Sequence, residues 1–131
     1  MTLHDWSEAL ADPSPLRAVL GAPPPPLTDY ELLSVHVDER RSSVTLGFFA
    51  LALPAGAVAA WEARGHNAVE FFLICVGVKS FSLDGWNIDR FDRVSLAGSH
   101  VELSGEGKRM SFDVDEIRAD GPTGRLAGRA I

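Results

Sequence analysis

From Leu32 onward the apolar residues fall at every second position. The stretch ELLSVHVDE sets Leu33, Val35 and Val37 against Ser34, His36 and Asp38, as in a half-buried strand. ERRS marks a turn, and SVTLGFFALAL returns with Val44, Leu46 and Phe48 on one face. Phe49, Leu51 and Leu53 then change phase, which predicts a β-bulge between Gly47 and Phe49. The two segments read as a hairpin. After a connector, PAGAVAAWEARG, with room for one helical turn, NAVEFFLICVGV is apolar on both faces. Val69, Phe71, Leu73 and Cys75 oppose Phe72, Ile74, Val76 and Val78, which predicts a central strand covered on both sides. KSFSLDG alternates through Phe81 and Leu83 and stops at Asp84–Gly85, a turn dipeptide. RVSLA, HVELS, RMSFDV and EIRAD read as further short strands, separated by GS, GEGK and a phase change near Asp115.

The first residues follow a different period. HDWSEALAD can form a short helix with Trp6 and Leu10 on one face. Ser14 is the expected cap of a second helix, SPLRAVLG, with Pro15 at its first position and Gly21 at its stop. Pro23 to Pro26 force an extended connector. Short strands with turn signals between them predict a mainly β, antiparallel α+β fold. The form is a sandwich or a partly open barrel, with one or two short N-terminal helices against an open side. The expected organisation is a single domain, 1–131: a helical and Pro-rich segment (1–26), a β-rich body (27–120) and a tail (121–131). The Gly-rich tail is expected to be loose, with an added edge strand as the other possibility.

Composition narrows the class. An apolar share of 46% is ordinary for a globular protein. No apolar run is long enough for a membrane-spanning helix, and MTLHDWSEALADPSP lacks the features of a secretory signal. Cys75 is the only cysteine, so no internal disulfide forms. These features favour the cytoplasm. A net charge of −6 disfavours nucleic acid and suits either solubility or a basic protein partner, such as a nuclease.

Candidate chemistry is sparse. His4, His36, His66, His100 and Cys75 show no metal-ligand spacing. Asp84, Asn87, Asp89 and Asp92 in DGWNIDRFD do not match a calcium loop. There is no GxSxG elbow, and Cys75 lies within an apolar run where thiols are usually inert. GEGK is too short for a phosphate loop and reads as a hairpin turn. The best enzymatic option is a carboxylate/His cluster: Glu62 and Glu70 around His66, or Asp113, Asp115 and Glu116. Charged residues at turns and strand ends are more often simply solvated. In WEARGHNAVEFF, Gly65 and Asn67 suit a turn and Trp61 an apolar anchor, so this segment reads as the architecture that introduces the central strand.

Trp61, Gly65, Asn67 and Val69, followed by an apolar strand and then Val78, Phe81, Leu83, Gly85 and Trp86, resemble the immunity protein 50 family of bacterial polymorphic toxin systems. Pro26, Leu27, Asp29, Glu31 and Leu32 resemble its lead-in to the first strand. The resemblance covers roughly residues 26–118. It implies a small cytoplasmic protein that binds and neutralises a cognate toxin by occlusion, with no cofactor and no turnover. The shared residues look like scaffold and carry no binding role with them. For the partner surface we expect an acidic rim with an aromatic: Asp84, Trp86, Asp89, Asp92, Asp113, Asp115 and Glu116. Acidic residues would speed encounter with a basic toxin, and Trp86 is either an interface anchor or a core residue. A small-molecule-binding barrel, or a minor hydrolase using a carboxylate/His cluster, is the other reading.

Overall fold

In a computed structural model of the chain, which describes residues 5–127, the alternating segments form eight strands in two antiparallel sheets. The first sheet has the order β1 (Glu31–Asp38), β2 (Ser43–Ala50), β3 (Ala68–Val76), β8 (Glu116–Arg125). The second has the order β4 (Lys79–Asp84), β7 (Lys108–Asp113), β6 (His100–Gly105), β5 (Arg93–Ala97). The sheets remain separate, so the fold is a sandwich rather than a barrel. Alternate residues supply its core. Val44, Leu46, Phe48, Phe71, Leu73 and Cys75 from the first sheet join Leu96, Val101, Leu103 and Phe112 from the second.

The N-terminal segment belongs to this core. A 3-10 helix, Trp6–Ala9, and α1, Ser14–Leu20, bury Trp6, Leu10, Leu16 and Leu20. The Trp6 ring stacks on Phe71 at 5.7 Å, and its Nε1 donates to the Pro25 carbonyl at 2.8 Å. The proline connector therefore accepts the one hydrogen bond that a buried indole must make. Ser7 is buried and polar, and it is satisfied: its hydroxyl donates to Asp5 and accepts from Arg17 Nε at 2.8 Å. Ser14 is not the helix cap but the first helical residue, and its amide donates to Asp12 Oδ1 at 3.1 Å.

Three expectations change at the strands. β2 pairs with β3 without interruption, so Gly47 to Phe49 carry no bulge. The irregularity lies across the ladder, between Leu32 and Ser34 of β1. Leu32 consequently takes the buried position and Leu33 is 52% exposed. β3 is central, between β2 and β8, but only one of its faces is fully covered. Val69, Phe71, Leu73 and Cys75 are buried, whereas Phe72, Ile74 and Val76 on the other face are half-buried. The tail is not loose as far as Arg125: residues 121–125 complete β8 along β3. Asn67 extends this join, since its Oδ1 accepts from the Ala127 amide at 2.7 Å. A short helix, α2 (Val58–Ala63), occupies the predicted connector.

Candidate functional site

β1 and β4 are edge strands, and they meet at a side of the sandwich that is left open. Leu83 lies opposite Met110 of β7, and Phe81 stacks on Phe112 at 6.1 Å, so both project from the inner face of their sheet. No strand covers them there. Phe81 is 42% and Leu83 41% exposed, and Val37, on the inner face of β1, is 48% exposed. Between the two edges runs an apolar groove of about 480 Å³, lined by Leu32, Leu33, Val35, Val37, Phe81 and Leu83.

The loop after β4 overhangs this groove. Trp86 is 90% exposed and Ile88 wholly so. The loop is nonetheless tied down. Asn87 Nδ2 donates to the Glu106 carbonyl at 3.0 Å, and Asn87 Oδ1 accepts from the Asp89 amide at 3.0 Å. Arg90 pairs with Glu31 of β1, and the Asp92 amide donates to the Ser104 carbonyl at 3.0 Å. Lys108 donates to the Asp89 carbonyl and sits 4.5 Å from the centre of the Phe91 ring. A fixed loop thus presents two large apolar side chains to solvent. Full burial of a Leu, Val or Phe side chain is worth roughly 1.5–3 kcal/mol, so a partner that covered this side would gain several such increments.

The predicted acidic rim divides into two groups. Asp84 pairs in register with Arg109 at one end of β7, and in the loop that follows it Trp86 and Asp89 line the groove and Asp92 lines the cavity next to it. Asp113, Asp115 and Glu116 lie at the other end, about 13 Å away along the strand at ~3.3 Å per residue. Those three are engaged: Asp113 with His100 Nδ1 at 2.9 Å, Asp115 with Lys79, and Glu116 with Arg118. Among the described residues no cation pairs with the carboxylates of Asp84, Asp89 or Asp92. Trp86 is an exposed residue and not a core one.

The catalytic candidates do not assemble. Glu70 accepts two hydrogen bonds from Arg125, at 3.0 and 2.7 Å, and Glu62 is exposed on α2. His66 lies edge-on to Trp61, with its Nδ1 buried and unpartnered beneath Gly124. None of the three lines the groove or the cavities beside it. Cys75 is buried, and burial pushes its thiol up to about 12. His36 and His100 are exposed on different sheets, and His4 lies outside the described residues. Among the described residues no three His, Cys, Asp or Glu side chains gather as a metal site, and no helix is long and apolar enough to cross a membrane.

The alternation put Leu33 and Val37 on the apolar face of a half-buried strand and ran through Phe81 and Leu83, but it did not mark these four as surface. Their alternation has the same form whether or not a second sheet covers them.

These features define a small β-sandwich with an open apolar side between β1 and β4. The family whose profile matches is described as Immunity protein 50; the match spans residues 12–124, and the chain belongs to that family. Membership points to a toxin-neutralising role. The match takes in α1, the proline run and most of β8, well beyond the 26–118 of the sequence resemblance. No curated protein and no solved structure matches the chain.

Proposed function

We propose that this chain is a single-domain, cytoplasmic, non-catalytic immunity protein that binds its cognate toxin through the β1–β4 side and occludes it. The observation that carries this reading is Trp86, 90% exposed on a loop held to the sandwich at four points beside an open apolar groove. Exposed, pre-positioned tryptophans have the character of interface anchors. The unpaired carboxylates of Asp84, Asp89 and Asp92 favour a basic partner, such as a nuclease, through faster encounter. The small-molecule reading has less support. The donor groups around the groove are already engaged, Arg90 with Glu31, Asn87 with the Glu106 carbonyl and Lys108 with the Asp89 carbonyl, so few converge on an enclosed ligand.

The test is co-expression with the toxin encoded beside its gene. Growth should be rescued, and the two proteins should co-purify. Neither rescue nor a complex would remove this reading. Reversal of charge at Asp89 and Asp92 should slow association most at low salt, and an unchanged association rate excludes these carboxylates.

A further inference from the structure

The apolar groove continues into a second cavity of about 430 Å³, and the two share Leu32, Arg90 and Phe91. The second cavity has a different character. Asp29, Glu31 and Asp92 line it, with Arg90 as its only guanidinium. Arg90 pairs with Glu31, and among the described residues no cation pairs with Asp29 or Asp92. β1 runs along both cavities: Glu31 and Leu32 border the acidic one, Leu32 to Val37 the apolar one. β1 is also the edge of its sheet, so one side of its backbone is available for pairing.

We propose that the occupant is an extended segment of the cognate toxin that adds as a strand along β1. Its apolar side chains enter the groove at Leu33, Val37, Phe81 and Leu83, and a lysine or arginine beside them enters the recess at Asp29 and Asp92. This rests on the immunity reading and specifies the chemistry of the partner. Edge pairing supplies main-chain hydrogen bonds, and the adjoining apolar and acidic cavities supply side-chain selection. A second copy of this chain fits less well. Each copy carries a net charge of −6, so like charge opposes self-association.

The probe is the neighbouring toxin, inactivated at its catalytic site, titrated against the full chain. The double variant Leu33→Ser/Val37→Ser alters two exposed positions, so its circular dichroism should stay native. Its affinity should fall at least about tenfold, as expected when apolar contacts at an interface centre are lost. Asp29→Asn/Asp92→Asn should slow association severalfold at low salt and approach the wild-type rate at high salt. Hydrogen exchange at residues 31–38 should slow in the complex, a result that strand addition produces and a remote contact does not. Overlapping peptides from the toxin should compete when they combine an apolar run with a basic residue. If the wild-type complex forms and protects growth, yet both double variants bind normally and β1 exchange is unchanged, strand addition is wrong and the immunity reading stands. If the wild type forms no complex, the immunity reading itself fails. A toxin-free dimer that the Leu33→Ser/Val37→Ser variant dissociates would assign the groove to self-association and overturn the proposal.

Discussion

A Cβ at Gly85 would lie 2.1 Å from the carbonyl oxygen of Gly107. The backbone that leads into Trp86 is therefore packed directly against the β6–β7 turn, with Gly85 at a φ of +88° that side chains resist. Contact and conformation both require glycine here. Gly85→Ala should destabilise the fold by about 1–3 kcal/mol in urea denaturation and also weaken toxin binding, because Trp86 is displaced. Wild-type stability in this variant would show that the loop adapts freely.

Trp86 separates function from folding. Its side chain is 90% exposed, so Trp86→Ala should change stability by no more than about 0.5 kcal/mol. An interface anchor truncated to alanine typically costs at least about 2 kcal/mol of binding, so toxin affinity should fall by roughly thirtyfold. Calorimetric titration measures the second quantity and thermal denaturation the first. Equal affinities for the two proteins would remove Trp86 from the interface.

Phe71 has the opposite character. It is buried between Trp6, stacked at 5.7 Å, and Phe48, stacked at 5.1 Å, with Tyr30 edge-on at 5.0 Å. It joins the N-terminal segment to β2 through Phe48 and to the lead-in of β1 through Tyr30. Phe71→Ala should cost about 3–5 kcal/mol, the range for an aromatic removed from a close-packed core. Denaturant unfolding followed by tryptophan fluorescence reports the loss, and a cost under about 1 kcal/mol would contradict this account of the core.

His100 lies on the outer face of the second sheet, between Asp113 and Glu102. The hydrogen bond to Asp113 raises its pKa above the ordinary 6.5, and the weaker contact with Glu102 adds to this. The native state therefore holds the imidazole proton more tightly than the unfolded chain does. The resulting stabilisation is complete below pH 6.5 and fades as pH rises through the native value. A nuclear magnetic resonance titration should place His100 above 6.5 in the wild type and lower in Asp113→Asn. An identical midpoint in both proteins would show that Asp113 is not the cause.

Much of this architecture is legible in the order of residues. Alternation at Val44, Leu46 and Phe48, and again at Val101, Leu103 and Phe112, marks strands because side chains on a pleated backbone point to opposite faces in turn. Gly21, Gly85 and the GEGK turn mark where elements stop. Those signals are local, and they determined the mainly β fold and the position of nearly every strand. The bulge was misplaced because a phase change within a hairpin does not say which partner holds the extra residue; pairing across the ladder assigned it to β1 at Leu33. The exposure of Val37, Phe81 and Leu83 was decided only by the assembly of the sheets. An inner-face residue is buried when another layer lies over it, and the layers stop short at β1 and β4. The same assembly brought Asp29 and Asp92 beside one cavity, left Trp86 in solvent and carried Asp113, Asp115 and Glu116 to the far end of β7. Strand identity follows from short-range periodicity, whereas the uncovered side of the sandwich depends on which distant strands meet and which do not.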